Sequence, residues 1–267
     1  MKIIDAHIHT SFFRKDLQAI AKKNGIILSM DGLRAEMKKN NAVRAITITD
    51  VIKDATPIGS ELLLKQLNEN KSLIGVCGVN PELLNKKQIN KTRELLQKGL
   101  IKGLKIYLGY YARYPFDARY KKIFSLAQKY NCPVIFHTGD TLSTMGKTLV
   151  KYAHPLNIDE VAVAWPKMKI VIAHAGYPWV IDAAEVAYKN ENVFVDISGW
   201  IFGNKINSYD KDTVKRLIEY TGPHKILYGT DWPLVKMETY LKFFKTAIPK
   251  KYWKDVFYNN ARRVFNL

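Results

Sequence analysis

The chain has 267 residues, of which 47% are hydrophobic, and its 42 Lys plus Arg against 24 Asp plus Glu give a formal net charge of +18. That length fits one large α/β domain with a substantial core. No stretch approaches the roughly 20 apolar residues of a membrane span. With only two cysteines, Cys77 and Cys132, a disulfide framework is not expected, and both read as buried thiols of a cytoplasmic protein. The N-terminus enters a strand at once, which leaves no room for a signal peptide. The basic residues are scattered in pairs such as Lys22-Lys23, Lys86-Lys87 and Lys121-Lys122. This is a solvated lysine-rich surface rather than the continuous basic track of a nucleic-acid binder. The net field can still attract an anionic substrate.

In chain order, eight strand candidates lie near residues 2–9, 43–49, 73–79, 102–108, 133–138, 169–174, 193–198 and 225–230. Most are unbroken apolar runs, as expected of parallel strands buried on both faces. Helical segments separate them. Asp31, Ser60, Asp117 and Asp210 stand at the starts of four, where an oxygen satisfies orphan amides and suits the dipole. The connection from Thr10 to Met30 is long for this class and holds the helix-like stretch Asp16–Ala21, a candidate lid or homo-oligomer contact. Eight βα units predict a (β/α)8 TIM barrel, one domain spanning residues 1–267.

The first strand, Lys2-Ile3-Ile4-Asp5-Ala6-His7-Ile8-His9, places two histidines two apart, on the same side of a regular strand. Three later strands end in residues of the same chemical kind: His137 after Pro133–Phe136, His174 after Lys169–Ala173, and Asp231 after Ile226–Thr230. In a barrel of this type chemistry sits at the C-terminal ends of the strands. All five side chains can then face one mouth, and the cluster suits a divalent metal such as zinc. Asp5 shares the parity of His7 and His9 but lies deeper, either orienting a ligand imidazole or serving as a buried structural carboxylate. His154 and His224 read as structural or surface residues.

These motifs resemble the amidohydrolase superfamily, specifically the amidohydrolase-2 family that includes aminocarboxymuconate semialdehyde decarboxylase. The resemblance spans the chain: Asp5–His9, Phe136–Gly139, Ala173–Gly176, Gly229–Pro233 and the closing Asn259–Phe265. It implies that His7, His9, His137 and Asp231 hold one divalent ion, zinc first, with manganese, cobalt or iron as substitutes. It implies that His174 moves protons beside the ion, and that Asp231 both touches the metal and takes the proton of the attacking water. A metal-dependent hydrolase of an amide, lactone or ester in a small polar or anionic molecule is the leading expectation. Non-oxidative decarboxylation of a small unsaturated or aromatic acid is the alternative. Related deoxyribonucleases carry a glutamate on strand 4, where this chain has Lys105, which counts against a nucleic-acid substrate.

Lys105 sits inside an apolar strand and should point into the barrel mouth, because an unpaired buried ammonium is costly. In two-metal members of the superfamily a lysine on this strand is carboxylated and bridges the ions. Here one metal is expected, with Lys105 meeting an anionic substrate group or an acidic neighbour; a structural role stays open. Tyr107, Arg113 and Trp200 are further substrate-binding candidates, Arg113 as a bidentate partner for a carboxylate or as a solvated loop residue.

Overall fold

The computed structural model describes residues 1–50, 61–142, 147–201 and 208–267. Eight parallel strands follow one another around a single sheet in chain order. They are β1 (Ile3–Ile8), β2 (Ala42–Ile48), β3 (Leu73–Val79), β4 (Gly103–Ile106), β5 (Val134–Phe136), β6 (Ile170–Ile172), β7 (Val193–Asp196) and β8 (Ile226–Leu227). The seam between β8 and β1 is closed by backbone bonds at 2.8 Å, from Ala6 N to Tyr228 O, His9 N to Trp232 O and Asp231 N to His7 O. This is the predicted (β/α)8 barrel. The first connection holds α1 (Lys15–Lys23) and α2 (Met30–Lys39); α3 (Glu61–Glu69), α4 (Lys86–Gln97), α5 (Lys121–Lys129), α6 (Asn157–Ala164), α7 (Val180–Lys189) and α8 (Ser208–Thr221) follow β2 to β7 in turn. After β8 come α9 (Met237–Ala247) and α10 (Asn260–Phe265). Among the described residues no helix is long and apolar enough to cross a membrane.

Side chains from alternate positions fill the barrel interior. Ile46, Val76, Ile135, Val171 and Leu227 meet there with Ile4 and Ala6, and α10 closes the floor with Ala261, Val264 and Phe265. A larger apolar layer lies between strands and helices, for example Leu104, Phe136 and Ile172 of the strands against Ile123 and Phe124 of α5 and Val186 of α7.

Several strands are shorter than their apolar runs, because the residues that carry chemistry leave the ladder. His174, Ala175 and Asp231 have φ of 59°, 48° and 60°, a left-handed backbone that costs side chains energy and is often found at functional sites. Helix starts differ in detail from expectation. Ser29 caps α2, its Oγ accepting from Gly32 N at 3.1 Å, so Asp31 falls in the first turn. Asp210 likewise lies inside the first turn of α8. Asp117 does cap, but a short 3₁₀ turn ahead of α5. Ser60 lies outside the described residues.

The expected shared parity of Asp5 with the histidines is corrected by a bulge in β1. Asp5 pairs with Ala45 and Ile8 with Thr47, three steps on one strand against two on the other. One extra residue reverses the alternation. Ile4 and Ala6 therefore face the interior, whereas Ile8 packs outward against Leu33, Met37 and Trp232. Asp5 instead accepts from Thr230 Oγ1 at 2.7 Å, Thr230 N at 3.0 Å and His7 N at 3.2 Å, fastening β1 to β8. It orients no imidazole.

Candidate active site

Beyond the bulge His7 and His9 both reach the mouth, their ring centroids 5.3 Å apart. His7 is fully buried. Its Nδ1 donates to Asp196 Oδ2 at 2.9 Å, while its Nε2 has no hydrogen-bond partner among the described residues and lies 3.8 Å from Asp231 Oδ1. His9 sits between two carboxylates, its Nδ1 3.1 Å from Asp50 Oδ1 and its Nε2 3.3 Å from Asp231 Oδ1. Burial opposes a charge on His9, but Asp50 and Asp231 raise its pKa to about 9. Burial likewise opposes ionisation of Asp50, Asp196 and Asp231, yet the surrounding imidazoles hold all three carboxyls well below the usual range. Such a nest of ionised carboxylates asks for a cation.

One ligand atom from each of His7, His9 and Asp231 lies within 4.8 Å of the others, and the same holds for His7, His174 and Asp196. His137, the fourth expected ligand, is in the same cavity but turned towards His174: its Nδ1 is 3.2 Å from His174 Nε2, and its Nε2 donates to Asp140 O at 3.0 Å. His174 sits centrally, with ring centroids 4.8 Å from His7 and 4.9 Å from His137. Its carbonyl accepts from Trp200 Nε1 at 2.7 Å. Gly199, at φ +72°, passes so close that a Cβ there would lie 2.7 Å from His174 Nδ1 and 3.2 Å from Asp231 Oδ2. The orphaned His7 Nε2 and the imidazole–carboxylate donor set fit a divalent ion.

These groups open into a cavity of about 340 Å³, within the range of small-molecule sites. Its walls are largely apolar and aromatic, with Leu17, Leu142, Leu234, Tyr107, Tyr110, Tyr177 and Trp200. Lys105 lies at its base, fully buried; its Nζ has no hydrogen-bond partner among the described residues and stands 5.4 Å from the Tyr107 ring centroid. Burial lowers its pKa to about 8, against the attraction of Asp196, Asp231 and Asp50. Tyr107 anchors its hydroxyl on Thr49 O at 2.7 Å.

Of the candidates read from the sequence, His7 does not line this cavity but lies against its residues His9 and Asp231, and Arg113 is not brought to it. Arg113 donates to Glu82 Oε1 at 2.7 Å and Asp117 Oδ2 at 3.3 Å, a partly exposed ion pair along the loop after β4. The cavity's arginine is Arg14, from the long first connection, 3.0 Å from Asp50 Oδ2. That connection also supplies Leu17 to the wall, and Asn24, just past α1, donates to Leu234 O at 2.7 Å in the loop after β8. Asp50, Asp196 and Ser198 were not singled out from the sequence. The signal was present: Ile46–Thr49 runs into Asp50 as Val193–Val195 runs into Asp196.

A family profile described as Amidohydrolase matches residues 4–267. The chain belongs to the amidohydrolase family. It is thereby an enzyme of the metal-dependent hydrolase and decarboxylase type. No match emerged among curated protein sequences. Solved structures share the fold at low identity. An uncharacterized TIM-barrel protein from Bordetella bronchiseptica is 19% identical, with 100% of this chain and 99% of that one covered and a TM-score of 0.80. A probable 2-pyrone-4,6-dicarboxylic acid hydrolase from Acinetobacter baumannii, with citric acid bound, is 16% identical, with both chains fully covered and a TM-score of 0.71. A dihydroxybenzoic acid decarboxylase from Polaromonas sp. JS666, with bound manganese and the inhibitor 2-nitroresorcinol, is 16% identical, with coverage of 100% and 97% and a TM-score of 0.72.

Proposed function

We propose that this amidohydrolase is a hydrolase of an amide, lactone or ester bond in a small anionic molecule, with residues 1–267 forming one catalytic domain in the cytoplasm. The observation that carries the reading is a pair of buried atoms without a hydrogen-bond partner among the described residues: Lys105 Nζ, of a residue that lines the cavity, and His7 Nε2, 3.8 Å from the cavity residue Asp231. His7 Nε2 calls for a metal ion, Lys105 Nζ for an anion.

His7, His9, His137 and Asp231 would hold one divalent ion. Three imidazoles and a carboxylate favour zinc; manganese, present in the Polaromonas neighbour, cobalt and iron are the substitutes. When bound, the ion polarises a carbonyl and lowers the pKa of a water it holds from 15.7 to about 7. Asp231 accepts the proton of the attacking water. His174, beside His7 and His137, takes part in moving that proton to the leaving group. Lys105 pairs with the substrate's anionic group, and Tyr107 and Trp200 form walls that exclude water. The +18 charge draws small anions rather than nucleic acid.

Decarboxylation is the second reading, favoured by the aromatic walls Tyr107, Tyr110, Tyr177 and Trp200, which suit a planar ring. In that reaction the bond to the carboxylate breaks, carbon dioxide leaves, and Asp231 or His174 passes on to the ring carbon a proton that it has first taken from water or from an acidic group of the substrate. The test is a panel of lactones, amides, esters and aromatic carboxylic acids offered to zinc- and manganese-loaded protein. Acid release in a pH-stat supports hydrolysis. Trapped carbon dioxide supports the second reading. Turnover that persists after complete metal removal overturns both.

A further inference from the structure

Three of the four aromatic walls of the cavity commit their polar proton within the chain. Tyr107 gives its hydroxyl to Thr49 O at 2.7 Å, Trp200 gives its Nε1–H to His174 O at 2.7 Å, and the Tyr177 hydroxyl faces Asp210 Oδ1 at 3.5 Å. Tyr110 differs. Its hydroxyl oxygen accepts from Leu142 N at 2.9 Å, and among the described residues nothing accepts from the hydroxyl in turn. A phenol holds its proton at neutral pH, and its hydroxyl can donate while it accepts. Tyr110 therefore presents a donor whose acceptor must come from outside the described chain.

The chain fixes where that hydroxyl sits. Lys105 and Tyr107 stand two apart along β4 and its end, on one side, and the chain then turns at Gly109, φ +82°. A Cβ there would lie 3.1 Å from Ala153 Cβ and 3.2 Å from Thr141 Cγ2, so the turn packs against the loop after β5. Tyr110, the next residue, has its ring edge-on to His137, with centroids 4.8 Å apart, and to Tyr107 at 6.2 Å. The Leu142 amide holds the oxygen, and a bond accepted there polarises the O–H and strengthens its own donation. Held at ring and oxygen, the donor is in place before any ligand arrives. Lys105 Nζ, at the base of the same cavity, also offers protons and has no hydrogen-bond partner among the described residues. Two donors in one cavity ask for two acceptor groups in one molecule.

We propose that Tyr110 is a specificity-determining residue whose hydroxyl donates to a second oxygen function of the substrate, so that the cavity selects small anions that carry such an oxygen beside their anionic group. The anionic group itself rests on the function proposed above, and the Tyr110 contact adds the second acceptor. A molecule with the anionic group alone leaves the phenol proton unpaired in a largely apolar pocket. A site built to hydrogen-bond its substrate rejects analogues that lack the partner for this reason. The inference holds for either reaction proposed above, because it concerns which molecule is held and not which bond breaks.

The experiment is calorimetric titration of zinc-loaded protein with malonate, succinate, glutarate and adipate, each matched with the monocarboxylate of the same carbon number. The graded lengths let the second carboxylate, a strong acceptor for a phenol proton, find the hydroxyl. At least one diacid should bind the parent about tenfold or more tightly than its match, the worth of one hydrogen bond to a charged group. Tyr110→Phe keeps the ring against His137 and Tyr107; it should erase that preference and leave the monoacid's affinity unchanged. A parent that prefers no diacid overturns the proposal, and this measurement needs no variant to fold. A preference that survives Tyr110→Phe overturns it too, as does an equal loss for diacid and monoacid, which would make Tyr110 a packing residue. Lys105→Met should weaken both acids of the pair. If it weakens neither while Tyr110→Phe erases the preference, the anion's placement at Lys105 falls and the role of Tyr110 stands.

Discussion

At the floor of the barrel Lys225 gives its ammonium to the carbonyls of Asn190 and Glu191, 3.0 and 2.7 Å away. Beside it Asn260 gives its amide to Pro223 O at 2.8 Å and Ile226 O at 2.7 Å. At the mouth Lys105 is buried more deeply, and among the described residues neither it nor His7 Nε2 has such a partner. Both ends thus bury polar groups, which is costly without partners. The floor finishes its hydrogen bonds within the chain and uses them to lock α10 under the strands. The mouth leaves bonds unfinished among the described residues, and in the function proposed above an ion and an anionic molecule complete them. One end is built for stability, the other for binding.

The sharpest way to break this contrast is to remove a mouth group that the metal needs. His7→Ala should lose zinc in elemental analysis and with it essentially all turnover, while keeping a cooperative unfolding transition. His174→Ala should keep its zinc but turn over about 10²–10⁴-fold more slowly, the usual worth of a general acid–base group; near-parental rates would make His174 structural. At the floor the outcome should reverse. Asn260→Ala removes two hydrogen bonds, to Pro223 O and Ile226 O, at a cost of about 0.5–1.5 kcal/mol each, read as a lower urea midpoint, with zinc content unchanged. Lys105→Met should raise stability by about 1 kcal/mol by removing an unpaired buried charge. The same change should weaken inhibition by small carboxylates about tenfold or more, the worth of one hydrogen bond to a charged group. A Lys105→Met protein that loses stability would place Lys105 with the floor residues.

The smallest expected effect concerns the wall. Glu36 of α2 accepts from Met237 N at 2.8 Å and from Trp232 Nε1 at 3.4 Å, and burial raises its carboxyl above the ordinary value. A raised acid binds its proton more readily folded than unfolded. Its contribution is therefore full below the unfolded value of 4.5 and is lost as pH rises through the folded one. Glu36→Gln should flatten that part of the stability–pH curve in denaturation titrations and leave metal binding alone.

The fold and the five mouth residues were legible because buried parallel strands read as unbroken apolar runs, and a polar residue at the end of such a run is conspicuous. Asp50 and Asp196 obey the same rule. They escaped notice because the strand boundaries expected near 49 and 198 stop short of one and run past the other. The choice between Arg14 and Arg113 was not legible. Both lie on loops at the mouth, and only the path of the chain turns one inward while Glu82 and Asp117 hold the other outside. The turning of His137 towards His174 was equally hidden, since it depends on the carbonyl of Asp140 and not on any side-chain pattern.

The extra residue in β1 has a consequence for anyone who would transplant this site. In a regular strand Ile4, Ala6 and Ile8 would share one side, and His7 and His9 would join Asp5 on the other. With Ile4 and Ala6 in the interior, both imidazoles would then point at the helices. The two histidines are therefore not a portable His-x-His cassette. A graft onto another barrel must carry the bulge and the Asp5–Thr230 clasp that secures it, because the same sequence laid down as a regular strand would turn both imidazoles outward while leaving every chemical group in place.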